Sequence, residues 1–366
     1  MGELHDYFSV CFNSMKLRYA EFDQMIESLS YLYPTDKINV FINLESIIKN
    51  LSMIKDFEAK VLMDPNFSTI MISNMLNVCA HYKKFFVGNR LHTRVFLYMT
   101  EFDSEDYAEN ELDDDYRSFY HVKYCCNPKY ATFYELWKSE IYKQAKTIFD
   151  FIPDVYFITT KNIDGSVIPM VISEMDKSYK NFIMTSDLME TQYNLMDNFS
   201  VFQIKRGSLN SSVSYRLKDY LANGFKIKIT MENESNYLNL YRHRAFYLSL
   251  LTSVGCTMRC IEKIFNLTPL RNTKYLVDGL ADGKIQADTE SPELLQYVYP
   301  NEMRNDFSKN LKLFDITTKY RKLTKEDIYQ ITSQLVDRFD NNSLLQLNNT
   351  KFVNHQLMLE ELTCQF

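Results

Sequence analysis

The sequence predicts an α/β fold: a parallel-sheet core, preceded by an N-terminal helical segment and followed by a mostly helical C-terminal region. Three observations predict it. Five short runs rich in β-branched and aromatic residues recur between positions 38 and 206. Stretches with helical spacing separate those runs, and strand–helix–strand alternation favours parallel pairing through crossover helices. The composition is globular, with 46% hydrophobic residues and only 8 Gly and 8 Pro among 366, which leaves little material for linkers.

The elements follow in order. Residues 1–33 carry apolar residues at helical spacing, from Leu4, Tyr7 and Phe8 to Met25, Ile26 and Leu29, and Pro34 ends the segment. INVFINL (38–44) suits a buried strand, and ESIIKNLSMIKDFEAKVL and a second segment at about 67–84 read as helices. TRVFLYMT (93–100) is the second strand, TFYELWKSEIYKQAKTIFDFI (132–152) an amphipathic helix and DVYFITT (154–160) the third strand. GSVIPMVISEM is a short helix with Pro169 near its first turn, where the missing N–H costs nothing. KNFIMTS is the fourth strand, LMETQYNLM a helix and FSVFQIKR (199–206) the fifth strand. Strand propensity returns at FKIKITM (225–231), and from 237 onward the pattern is mostly helical. The divisions are therefore 1–35, a helical segment; 36–206, the α/β core; and 207–366, the helical region.

Charge and cysteines narrow the function classes. The net charge is -6, whereas a chain living mainly on phosphate backbones is more often basic. No apolar run is long enough to span a membrane, and MGELHDYF does not read as a signal peptide, so no membrane partner is expected. Seven scattered cysteines imply reduced thiols in a cytosol, and neither His121-x3-Cys125-Cys126 nor Cys256-x3-Cys260 has zinc-site spacing. Asn, Lys, Ile, Tyr and Phe are abundant and Ala, Gly and Pro few, as in the AT-rich genomes of many phages. There is no Walker motif, no GxGxxG and no nucleophile–base spacing.

Five stretches in sequence order resemble the PIN-like 5′-nuclease superfamily, which includes the flap endonucleases. INVFINLESII is similar to the opening strand, TRVFLYMTEFD to the second strand and its acid, NIDGSVIP to the acid-bearing start of a helix, and NFIMTSDLMETQYNL to a strand followed by paired acids. LLTSVGCTMRCIEKIF is similar to the glycine turn of a DNA-backbone-binding helix–turn–helix element. The resemblance covers about 36–310. It implies phosphodiester hydrolysis by two Mg²⁺ or Mn²⁺ ions held by carboxylates at the carboxyl ends of parallel strands.

Position by position, most of those carboxylates are missing. Asn43 stands where the family has Asp, with Glu45 two residues on. Met99 and Thr100 stand near the second acid, with Glu101 and Asp103 displaced. The third site keeps Asp164 alone. The fourth keeps Asp187, has Met189 for its second acid, and offers Glu190 one residue late, where it is expected to point elsewhere. The stretch Ser235 to Ile261 contains no Asp or Glu. Asp187 also suits a helix N-cap, and Asp164 a turn or cap. The segment that the family uses as a DNA gateway begins here with nine acids in EFDSEDYAENELDDD (101–115), which would repel phosphate.

The expected reading is a degenerate, catalytically inactive member. It would serve as a structural or binding component of a phage replication complex or virion, in the infected cell's cytoplasm or in the particle. Protein partners are expected. DNA contact would run through Arg242, Arg244, Gly255, Arg259 and Lys263, since a glycine turn exposes N–H groups to phosphate beside Arg charges. Asp164 and Asp187 would be the residual metal ligands, and no cofactor is expected. The alternative is a divalent-metal 5′-nuclease using Mg²⁺ or Mn²⁺, in which Glu45, Glu101, Asp103, Asp164 and Asp187 converge, with Glu174 a further candidate. An unrelated α/β scaffold is the third reading.

Overall fold

The structure is a computed structural model that describes residues 37–46, 67–88, 91–101, 141–150, 152–161, 163–185, 187, 189–196, 198–204, 212–214 and 315–335. The predicted 1–33 helix, most of the 45–62 helix, Asp103, strand 225–231 and all five candidate DNA contacts lie outside these residues.

A parallel sheet forms the core. Its strands are β1 (Lys37–Asn43), β2 (His92–Glu101), β3 (Val155–Lys161), β4 (Lys180–Thr185), β5 (Phe199–Ile204) and β6 (Ser212–Ser214). The order is β3-β2-β1-β4-β5-β6; only β6 runs antiparallel. The chain therefore grows from β1 in one direction to β3, then crosses back to place β4 on the other side of β1. The two directions part between β1 and β4, the place where open α/β sheets form a crevice at the carboxyl ends of their strands.

The five predicted strands match to within one or two residues. Each is a run whose alternate side chains enter two different packing layers, so the strand reads as continuously apolar. Phe41, Phe96, Tyr98, Ile158 and Ile183 face one layer. Phe157 and Phe182 face the other. Phe41 and Phe96, partners in register, stack at 4.8 Å.

On the first face lie α3 (Ile168–Met175), α4 (Ile316–Arg321) and α5 (Lys325–Thr332), burying Ile168, Val171, Ile172, Ile316 and Ile331. On the second lie α1 (Phe67–Gly88) and α2 (Tyr142–Phe149), through Phe86 on Phe182 and Phe149 on Phe157. Pro169 sits in the first turn of α3, as the spacing predicts. A buried polar row also ties α3 to the sheet: Arg94 Nε donates to Asn39, Asn39 to Asn181, and Asn181 to Ser173, at 2.9, 2.8 and 3.0 Å.

Two local features decide what reaches the carboxyl edge. The 189–195 segment is a 3₁₀ helix rather than the α-helix its pattern suggests. Its three-residue turn winds the chain more tightly past the end of β4. Second, α5 covers the outer edge of β3. The Gln334 amide accepts from Thr159 N and donates to Thr159 O, at 3.2 and 2.7 Å, and Gln330 accepts from Lys161 N at 2.9 Å. A side-chain amide thus pairs with the strand backbone as a neighbouring strand would, and an open edge is closed.

No helix among the described residues is long and apolar enough to cross a membrane.

Candidate functional site

The carboxyl ends of β1, β2 and β4 gather a compact set of buried polar groups. Asn43 ends β1, Tyr98 is its partner in register on β2, and Thr185 ends β4. Ser46 bridges two of these ends: its N–H donates to Asn43 Oδ1 at 3.3 Å, and its hydroxyl shares a hydrogen bond with Thr185 Oγ1 at 3.2 Å.

Glu190 lies at the centre of this set. Asn43 Nδ2 donates to its Oε2 at 2.8 Å and the Tyr98 hydroxyl to its Oε1 at 2.6 Å. The expectation that Glu190 points elsewhere is overturned. The 3₁₀ segment that begins at Met189 places it over the end of β1 instead. Burial pushes its carboxyl up to about 8, and the nearby Asp187 carboxylate adds to the rise; hydrogen bonds from Thr185, Tyr98 and Asn43 act in the opposite direction. A carboxyl in that environment is held largely neutral at pH 7. The Tyr98 phenol is likewise pushed well above its ordinary value by burial, with the Glu190 charge next in importance.

The other candidate carboxylates are engaged separately. Asp187 Oδ1 accepts from Met189 N at 2.9 Å while its own N–H donates to Thr185 Oγ1, so it caps the 3₁₀ turn. Asp164 Oδ1 accepts from Ser166 N at 3.0 Å and caps the turn that opens α3. Its Oδ2 receives the ammonium of Lys319, a residue on α4, and the two side chains are only 6% and 5% exposed. Glu45 Oε1 accepts from Thr100 N at 3.1 Å. Glu101 is half-buried at the end of β2, with Oε1 sealed from solvent and lacking a hydrogen-bond partner. Glu174 is drawn out of the set altogether: it is exposed near the far end of α3 and pairs with Lys177 at 3.0 Å.

These residues do not fit a pair of divalent ions. Mg²⁺ demands charged or strongly polar oxygens in near-octahedral array, several of them free to turn inward. Asn43 brings no charge and spends its N–H on Glu190, a largely neutral carboxyl, while Asp164 already holds an ammonium. Among the described residues no three His, Cys, Asp or Glu side chains stand close enough to share a metal.

Sequence reasoning missed Tyr98, Lys319 and Gln192. Gln192 Oε1 accepts from Ile316 N at 3.1 Å and so seats the start of α4 beside the site. Lys319 stands 155 positions from Asp164. No local pattern announces a contact at that separation. Tyr98 is the partner of Asn43 in the β1–β2 register, a pairing that appears only once the strands are aligned in the sheet.

No protein-family model and no curated protein matches the chain. Among solved structures, the bacteriophage T5 protein co-crystallised with metal ions is similar at 13% identity and TM-score 0.47, covering 84% of this chain and 99% of that one. T5 5′-exonuclease with bound zinc gives 11%, 0.44, 81% and 97%. A T5 flap endonuclease complex with DNA and metal ions gives 13%, 0.43, 85% and 100%. Likeness at this level assigns no residue of the present chain a role.

Proposed function

We propose that this chain is a nuclease-like α/β protein whose strand-end site has been closed by its own side chains, and that it acts by binding, as a structural component of a phage replication complex or particle. The observation that carries this is the fate of the carboxylates. Where two-metal hydrolysis needs charged oxygens converging on open space, Asn43 caps a buried Glu190 and Lys319 neutralises Asp164. Both changes lower the negative charge that would attract a cation. They leave a buried edge, most of whose polar groups hydrogen-bond one another, suited to supporting an interface.

A metal-dependent 5′-nuclease with a reduced acid set is the rival. In its favour stands the buried, unpartnered Glu101 Oε1, one strand away from Glu45. The test is incubation of the full chain with a 5′-flap DNA duplex in millimolar Mn²⁺, with the DNA followed both by cleavage and by fluorescence anisotropy. Intact DNA over hours fits the binding reading, and anisotropy then reports whether DNA is a partner or the partner is protein. Cleavage abolished by Asp187→Ala would establish the rival.

A further inference from the structure

We infer that β3 is a latent self-pairing edge and that α5 is its guard: with the Gln330 and Gln334 side chains lifted off, two copies of this chain join antiparallel through β3. The inference is independent of the inactive reading above, because it concerns the outer edge of the sheet and not the acids.

The sheet has two edges, and they differ. At one, β6 is three residues long, which offers another strand little to pair with. At the other, β3 runs parallel to β2 for seven residues. Its side chains enter both packing layers, so its sequence is as apolar as that of a central strand, with Val155, Phe157 and Ile158 buried. Val155 to Thr160 reads VYFITT, all β-branched or aromatic, with no charge, Gly or Pro. That composition pairs readily with a copy of itself. Charges stand only at the ends, at Asp154 and Lys161. The run thus carries neither the charge nor the proline that blunts an edge from within, and protection has to come from outside.

α5 supplies it through a side-chain amide used to capacity. Gln334 Oε1 accepts from Thr159 N at 3.2 Å and from the Lys146 ammonium at 3.4 Å. Its Nε2 donates to Thr159 O at 2.7 Å and to Gln330 O at 2.8 Å. A primary amide donates twice and accepts twice, so no position is left over. Gln330 Oε1 takes Lys161 N at 2.9 Å. Residues 159 and 161 therefore turn these backbone groups away from β2, and they are the groups that a neighbouring strand would bond. The guard competes directly with such a strand. Ile331 sits in the core, so trimming the two glutamines leaves α5 with its apolar anchor.

A second copy is the occupant that fits. Two copies of one edge related by a two-fold axis meet antiparallel, each giving and taking the same bonds, and the pair closes on itself. The antiparallel sense also brings Lys161 of each strand towards the Asp154 end of the other, which complements their charges.

The test compares the full-length chain, Gln330→Ala/Gln334→Ala, and that double variant with Lys161→Pro added. Each is followed by sedimentation velocity over a concentration series, with hydrogen exchange of the Thr159 amide read at both ends of it. Wild type should sediment alike throughout. The double variant should rise towards twice the wild-type mass, and its Thr159 amide, fast when dilute, should slow about tenfold as the pair forms. Lys161→Pro deletes an outward N–H and leaves the ladder to β2 intact, so it should return the mass to that of wild type. Gln334→Ala alone, which keeps the Gln330 bond, carries the same test if the double variant does not fold, with weaker association expected. A variant that sediments as wild type at every concentration overturns the inference. So does association that leaves Thr159 exchange unchanged or persists with Lys161→Pro, because the contact would then lie elsewhere. Wild type that self-associates as strongly as the variant would show that α5 guards nothing.

Discussion

Asn43 Nδ2 donates to Glu190 Oε2 at 2.8 Å, joining the end of the first strand to a turn 147 positions later. The pair makes Asn43→Asp an informative reversal. A carboxylate there loses the donor and faces a second carboxyl in a buried site, so the two would share one proton at the expense of stability. Asn43→Asp should destabilise the fold by about 2–4 kcal/mol near pH 8 and by much less near pH 5, where Glu190 keeps its proton and can donate it to the new carboxylate. Urea denaturation at the two pH values measures it. Equal loss at both would mean that charge is not the cause.

Glu190 itself sets a pH dependence. Its folded value is raised from 4.5 to about 8, so the folded protein keeps a proton that the unfolded chain releases. The associated stability is fully present below about pH 4.5, declines as pH rises, and is exhausted once pH passes about 8, where the folded carboxyl also ionises. Glu190→Gln removes the titration. It should flatten the decline between these limits, so that the variant gains on wild type by a few kcal/mol from acid to alkaline pH. Parallel denaturation curves with an unchanged slope against pH would show that Glu190 is ionised throughout.

The contrast between these residues and the strands shows what sequence carries. INVFINL and KNFIMTS are legible because a strand buried on both faces must be apolar at nearly every position. Asp164 and Asp187 are legible as caps because a short acid before a helical turn satisfies backbone N–H groups within two residues. Glu190 is not legible because its direction depends on how the 189–195 segment leaves β4 and docks beside β1 and β2, which METQYNL alone does not fix. Lys319 was not legible at all. Its partner is chosen by how α4 docks, and that docking rests on the hold of Gln192 on Ile316 N across 124 positions.

The Gln334 clip predicts a local rather than a global weakness. Gln334→Ala removes both hydrogen bonds to Thr159 and exposes the carboxyl half of the β3 edge. The cost should be about 1–3 kcal/mol. Amide hydrogen exchange at Thr159 should quicken by one to two orders of magnitude, in line with that cost, while Lys161, still held by Gln330, and Phe41 and Ile183 in the central strands change far less. Uniform acceleration across the sheet would show that α5 contributes to global folding and not to edge protection.

Gly165 carries the last prediction, because the β3–α3 connection must pass close over the end of β2. A Cβ added there would lie 3.0 Å from Thr100 Oγ1, 3.1 Å from Thr100 N and 3.2 Å from the Met99 carbonyl carbon. Two of the three are backbone atoms of a central strand, which cannot yield. The connection must instead lift, carrying Asp164 away from the ammonium that neutralises it. Gly165→Ala should therefore cost about 2–4 kcal/mol, the sum of overpacking and a loosened buried pair. Thr100→Ala in the same chain relieves the hydroxyl contact alone and should restore little. Substantial rescue by that second change would locate the clash in the Thr100 side chain and release the backbone from the argument. With Asp164→Asn/Lys319→Met as background, the penalty of Gly165→Ala should shrink to its steric part, and calorimetry on the four proteins separates the two contributions.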